Sequence, residues 1–375
     1  MSVHSGIIPE PIARQPWGML IPLFLLVAFG AAVLFSAAGG RMDPFASSHL
    51  IRFGVFLGMA AVIASLPRVF VRFMTYPAYI VVLLLLIGVE IVGNVRGGSQ
   101  RWLDLGFMVL QPSELMKPVI VVTLAQFYAS LPLSMLVSWR ALLVPGALIA
   151  VPVSFVLLQP DLGTSLAIAF GGAVVMLLAG LPLKWFIGGG VAALAAAPLV
   201  FFFGLQDYQQ RRVMTMFNPE ADALGAGYHI NQSKIAIGSG GIFGKGFNNG
   251  SQSHLEYLPE PQTDFVFATM AEEWGLVGGL FVLGVFTIIL SWGLKVARQS
   301  RDRFASLVAA GMVATIFFYV AVNLMMVMGM APVVGIPLPF MSHGGSSMMT
   351  NMICIGALMM VNRWNREAPR TGLSG

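Results

Sequence analysis

Charge is what this sequence has least of. Charged residues make up 10% of its 375 positions, where soluble domains carry about a quarter. Apolar residues make up 57%, more than a soluble chain could cover with polar surface. A single cysteine, Cys354, excludes an internal disulfide framework. Its place inside an apolar run reads as a small buried apolar side chain. No histidine pair at i, i+4 and no cysteine cluster offers a metal signature. A hydrated divalent cation (Mg or Mn) held by carboxylates and a diphosphate stays open. No basic block accompanies the net charge of +5, which sets nucleic acid aside as a partner. The usual signal-peptide pattern is also missing: Pro9, Glu10, Pro11, Arg14 and Pro16 interrupt the first residues, and the apolar run that begins at Gly18 is read as a retained helix.

The apolar residues come in long continuous runs, not in the alternation of barrel strands. With about 20 residues needed per crossing, ten spans are expected: 18–40, 53–66, 73–93, 114–128, 141–158, 162–181, 185–205, 264–293, 304–330 and 346–361. The expectation is an all-α polytopic membrane protein forming one domain over 1–375, with a long extracytoplasmic loop, 206–263, between the seventh and eighth helices. The eighth span is longer than a crossing needs, which implies tilt or extension past the bilayer. Arg68, Arg72, Arg140, Lys184, Arg298, Arg303 and Arg363 fall in connections of one side. By the positive-inside rule both termini are then cytoplasmic. The polar, Gly- and Pro-rich loops all fall on the other side, so any chemistry belongs there.

Arg101 and Trp102 in that outer region are either interfacial anchors or part of an arginine-lined mouth for a lipid diphosphate. Glu114 and Lys117, three residues apart on one helix face, are an intramembrane pair that either joins helices or serves function. Asp161 sits in a tight turn or points into a shared cavity. In the long loop, 208–212 and Asn218-Pro219 read as turns. The glycine-rich stretch 238–246 lacks the Walker spacing, so it is read as a flexible hinge or a backbone nest for an anion. Thr263 suits an N-cap, with Asp264 the first helical residue. Asp264 either complements the helix dipole or, half-buried with a raised pKa, acts as a general base. Glu272 and Glu273 cannot both face one cavity, so at least one should pair with a basic residue. The 335–346 stretch is too broken for helix and implies backbone covered by protein or lining a cavity. There His343 is either a satisfied structural histidine or a catalytic one.

Gln100-Arg101-Trp102-Leu103-Asp104, Gln111-Pro112-Ser113-Glu114, Gln159-Pro160-Asp161-Leu162-Gly163-Thr164, the 232–241 block, Leu258-Pro259-Glu260 with Thr263-Asp264-Phe265, and 342–346 together resemble the SEDS family of shape, elongation, division and sporulation proteins. The likeness runs in order from about residue 20 to 364. The 232–241 block and Ser251-Gln252-Ser253-His254-Leu255-Glu256 resemble its elongation branch. The resemblance implies ten helices and polymerisation of lipid II into glycan with release of undecaprenyl diphosphate, at the outer face of a bacterial inner membrane. It also implies an essential aspartate at Asp264, an important tryptophan at Trp102 and the membrane pair Glu114–Lys117. Its implied partners are a class B penicillin-binding transpeptidase and other membrane proteins of the elongation complex. Glu260-Pro261-Gln262 departs from the family pattern where a histidine is common. Arg101, Lys117, Arg211 and Arg212 are candidates to neutralise a leaving diphosphate, and Asp161, Lys234, Ser342 and His343 complete the candidate substrate contacts. The rival reading is a lipid II flippase, which needs the same cavity but no base. A small-solute transporter is a third, favoured by Glu90 and the broken 332–345 segment, but no inverted repeat supports it.

Overall fold

The structure is a computed structural model that describes residues 15–96, 99–104, 109–205, 207–217, 226–255, 257–258 and 260–367. In a bilayer a helix satisfies every backbone N–H and C=O within itself, and the apolar runs fold accordingly. Among the described residues, seven helices are long and apolar enough to cross a membrane. They are α1 (Trp17–Ala37), α2 (Phe45–Ser65), α3 (Arg68–Val92), α5 (Trp139–Leu158), α7 (Leu183–Leu199, continued by a π turn at Val200–Gly204), α11 (Val266–Gln299) and α12 (Arg303–Val327). Shorter or more polar helices, α4 (Pro112–Ser130), α6 (Leu162–Leu178) and α13 (Gly345–Glu367), take the expected fourth, sixth and tenth places. The polytopic all-helical fold read from the sequence is the fold observed.

Helix α12 is central, with 67% of its apolar window buried, whereas α7 buries none of its residues. At one end of the bundle, basic residues lock helix ends together. Arg303 donates to the carbonyls of Leu131 and Ala179, at the C-termini of α4 and α6. Asp302 pairs with Arg72 at 2.9 Å and Arg68 at 3.6 Å. Arg363 and Trp364 both donate to Leu66 O, where α2 ends. We call this the basic end and the opposite one the loop end.

The loop end is more ordered than the sequence suggests. A small antiparallel sheet, β1 (Asn94–Arg96), β2 (Ser99–Asp104) and β3 (Val109–Leu110), follows α3. The long loop contains α8 (Asp207–Phe217), α9 (Ala226–Ser239) and the short α10 (Ser251–His254). The segment 208–212, expected as turn, is therefore helix. Asn218-Pro219, Glu256 and Pro259 lie outside the described residues.

Helix α11 is not one tilted rod. Gly275 adopts φ +62°, ψ −156°, and the helix breaks there. The glycine-rich segment fills the break. Lys245 N and Gly246 N donate to the carbonyls of Glu272 and Glu273, while Leu276 N and Val277 N donate to the carbonyls of Gly241 and Ile242. These amides are engaged within the fold, so the stretch is neither a free hinge nor an anion nest; it is a strap that satisfies the backbone of a broken helix. The buried Glu272 fastens it further, accepting from Lys245 Nζ at 2.6 Å, Ser251 Oγ at 2.9 Å and Gln252 N at 3.1 Å. Glu273 takes a different partner, Ser36 Oγ of α1.

At Gly244, φ is +79° and an added Cβ would lie 2.1 Å from Glu273 O. Gly244→Ala should therefore cost about 1–3 kcal/mol and lower the thermal unfolding midpoint in detergent. Gly238→Ala, at a position with open space around it, should leave that midpoint in place.

Candidate active site

Helix α11 begins at Val266, with Phe265 at the cap position and no side-chain cap. Asp264 thus lies in the turn before the helix, not in its first turn, and its carboxylate is not used for capping. The turn is gripped through consecutive carbonyls. Pro261 O accepts from Thr269 Oγ1 at 3.3 Å, Gln262 O from His343 N at 2.8 Å, Thr263 O from Ser342 Oγ at 2.6 Å and Asp264 O from Asn323 Nδ2 at 2.8 Å. Ser342 Oγ also accepts from Leu338 N, and Asn323 Nδ2 also donates to Ile336 O. The broken 335–346 stretch, Asn323 of α12 and Thr269 of α11 thereby fix the backbone beneath the carboxylate.

Burial pushes the Asp264 carboxyl up to about 6, with the neighbouring Glu260 adding to the rise and Arg212 opposing it. Arg212, on α8, donates to Val333 O at 3.2 Å. Gly335, two residues on, brings its backbone close to Asp264 Oδ2, 3.5 Å from where a Cβ would stand.

Beside this turn, α6, α8, α12 and the 331–334 segment enclose a cavity of about 640 Å³. Its walls are apolar, including Leu166, Phe170 and Phe318, and its polar rim includes Arg101, Asp161 and Arg212. Such a lining suits an amphiphile: a tail against the walls, an anionic head at the rim. Strand β2 delivers Arg101, which donates to Gln159 O at 2.7 Å and Pro160 O at 2.5 Å and approaches Asp161 at 3.7 Å. Asp161 caps α6 through Thr164 N at 3.0 Å and accepts from Gln111 Nε2 at 3.1 Å. Both sequence readings of Asp161 hold: it closes the turn and it lines the cavity.

Other candidates are placed elsewhere. Glu114 and Lys117 pair at 2.6 Å, buried, and both bond to the hydroxyl of Tyr319 on α12. They do not line the cavity; the reading as an ion pair joining helices describes their geometry. Trp102 is half-buried on β2, opposite Asn94 and outside the cavity lining. Arg211 is exposed on α8 and also outside that lining. Lys234 of α9 lies over Gly329, just past the end of α12. His343 faces Arg52 Nη1 at 3.3 Å and Ser48 Oγ at 3.5 Å, and burial together with Arg52 lowers its pKa. It is a partnered histidine whose backbone, not its ring, reaches the Asp264 turn. Sequence reasoning missed Asn323, Tyr319 and Gln111. An amide inside the apolar run 304–330 was the available signal for Asn323, since polar side chains within spans commonly bond between helices.

Among the described residues no group of three or more His, Cys, Asp or Glu could hold a metal ion. Glu260 lies close enough to Asp264 to act on its carboxyl electrostatically.

The geometry defines the class: a polytopic α-helical membrane protein with a half-buried carboxylate and a cation-rimmed cavity at one end. The chain belongs to the FtsW/RodA/SpoVE family of cell cycle proteins, whose profile matches residues 17–367; the resemblance read from the motifs is thereby confirmed. It is 42% identical over 352 residues to the peptidoglycan glycosyltransferase MrdB of Escherichia coli K12, covering 92% of each chain. It is 34% identical to the stage V sporulation protein E of Bacillus subtilis, covering 93% of this chain and 97% of that one. Among solved structures it resembles the Thermus thermophilus rod shape determining protein RodA, with 30% identity, TM-score 0.71 and coverage of 93% and 97%. It also resembles a chain from a peptidoglycan synthase complex described as coordinating polymerization and crosslinking, with 31% identity, TM-score 0.79 and coverage of 94% and 99%.

Asn323→Ala should strip the donor from two carbonyls, Asp264 O and Ile336 O. A loss of about 1–3 kcal/mol is expected, seen as a lower unfolding midpoint together with reduced turnover. Ser342→Ala, which frees Thr263 O, should act in the same direction.

Proposed function

We propose that this chain is a peptidoglycan glycosyltransferase that polymerises lipid II into glycan strands during cell elongation and releases undecaprenyl diphosphate. The observation that carries the reading is Asp264: a carboxylate with pKa raised to about 6, on a backbone gripped by α11, α12 and the 335–346 stretch, next to a cavity shaped for an amphiphilic anion. A base poised near neutral pH is suited to proton abstraction.

Asp264 takes the proton from the acceptor sugar hydroxyl as that oxygen attacks the anomeric carbon of the donor, with inversion. The donor's anomeric bond to the diphosphate breaks, and negative charge collects on the leaving group. Arg101 and Arg212, at the cavity rim, neutralise that charge in this reading, and the apolar walls receive a lipid tail. Arg211, Lys234 and Trp102 act from the surrounding outer surface, where Trp102 suits headgroup depth. Glu114 and Lys117 act at a distance, by fixing α4 against α12 through Tyr319. Asp264 and Glu260 are the residues that would share a hydrated Mg or Mn ion, which would add positive charge at the diphosphate.

The same reading places the loop end outside a bacterial inner membrane and both termini in the cytoplasm, consistent with the arginines of the basic end. A class B penicillin-binding transpeptidase is the proposed partner, within a set of elongation-complex membrane proteins. The similarity to a chain of a peptidoglycan synthase complex supports it.

Purified protein, alone and with a class B transpeptidase, should convert labelled lipid II to glycan in detergent. Asp264→Asn should lower the rate at least about 100-fold, the lower bound for a lost general base. No polymer from the wild type with partner and divalent ions present would favour the flippase, which needs two leaflets and makes no product. The pH profile supplies a second check. The base works ionised, so the rate should fall as pH drops through about 6. Glu260→Gln removes a neighbouring negative charge and should move that limb to lower pH. Arg212→Gln removes the opposing positive charge and should move it higher.

A further inference from the structure

Gly311, Thr315, Tyr319 and Asn323 recur at every fourth position of α12 and so share one face of it. That face meets α4 at two levels. A Cβ at Gly311 would stand 2.5 Å from Val121 Cγ1, so here the backbone of α12 lies against α4 with no slack. About two turns nearer the loop end, Tyr319 closes on the Glu114–Lys117 pair, and all three side chains are buried. Lys117 Nζ donates to the phenol oxygen, and the phenol hydroxyl donates to Glu114 Oε2. The ammonium also lies 4.4 Å from the centre of the Tyr319 ring. A hydroxyl that accepts from one partner and donates to the other is fixed in position and in direction. The start of α4 is itself held by α13, where Thr350 Oγ1 donates to Glu114 O at 3.2 Å.

One turn beyond Tyr319, the same face reaches the Asp264 turn. Asn323 Nδ2 donates to Asp264 O at 2.8 Å and to Ile336 O at 2.7 Å, which uses both hydrogens of the amide. A short side chain that must meet two carbonyls at once tolerates little sliding or rotation of its helix. Tyr319 itself does not line the cavity, so it has no direct route to a substrate there. Its route to the Asp264 turn is through the placement of Asn323.

We propose that Tyr319 is a positioning residue for Asp264. By locking α12 to the Glu114–Lys117 pair, it sets the height at which Asn323 meets the carbonyls of Asp264 and Ile336. The effect on rate rests on the glycosyltransferase reading; the effect on the turn does not. Hydrogen exchange of the full-length protein in detergent tests the turn. Leu338 N and His343 N donate to Ser342 Oγ and Gln262 O, so peptides covering 336–344 report whether the grip is intact. Tyr319→Phe, which keeps the ring and loses the hydroxyl, should speed their exchange about ten-fold. Glu114→Met with Lys117→Met replaces the pair by apolar side chains of similar length; it also releases the phenol and should give the same rise. Tyr319→Phe combined with Asn323→Ala should exchange no faster than Asn323→Ala alone, because one acts through the other. With labelled lipid II, Tyr319→Phe should lower kcat about ten-fold and leave KM within about two-fold. Thr315→Val loses a hydroxyl that bonds to Gly311 O of its own helix, and both readouts should stay at the wild-type level. Wild-type exchange at 336–344 in Tyr319→Phe and in the double methionine variant would overturn the proposal. So would independent, multiplying effects of Tyr319→Phe and Asn323→Ala, or an equal rise in Thr315→Val, which would mean general loosening of α12. A wild type that makes no polymer would sink the glycosyltransferase reading, and the exchange result would still decide the positioning role.

Discussion

A backbone that leaves helical geometry near a bilayer must find partners for its N–H and C=O groups inside the protein. The site of this chain is an answer to that constraint. The carbonyls of Pro261 through Asp264 are taken in turn by Thr269, His343, Ser342 and Asn323. Three separate parts of the chain must therefore be in place before the turn exists. The Asp264 side chain takes no part in that backbone scaffolding, and burial raises its pKa toward neutrality.

The break at Gly275 obeys the same rule. Splitting α11 frees amides and carbonyls midway through a span, and the strap 240–246 returns a partner to each side of the break. Glu272, buried under Lys245 and the start of α10, ties the long loop to that point. The loop is consequently part of the scaffold around Asp264. Arg212 on α8, which tempers the Asp264 carboxyl, is held on that scaffold.

Charge is divided between the two ends of the bundle by use. At the loop end, Arg101 and Arg212 rim a cavity and keep company with carboxylates. At the basic end, Arg303, Arg363 and Arg72 close helix termini and cross-link α3 to α12. Some of the arginines counted in the charge asymmetry, Arg72, Arg303 and Arg363, thus also tie helix ends to one another.

Much of this was legible in the order of residues. Runs of apolar side chains long enough to cross a bilayer determine helices wherever they occur, because lipid offers the backbone no other partner. The motifs around Arg101, Asp161 and Asp264 all fell in segments that the structure gathers at the loop end. What sequence could not supply was pairing across distance. The 238–246 glycines look like a hinge until the gap at Gly275 is seen to receive them, and Thr263 looks like a cap until Ser342 is seen holding its carbonyl. Glu114 and Lys117 announce an ion pair by their spacing, but only packing brings Tyr319 of α12 between them. Span formation is local, governed by the hydropathy of some 20 consecutive residues. The grip on the Asp264 turn joins residues up to 81 positions apart, from Gln262 to His343, and so was decided only when the helices packed.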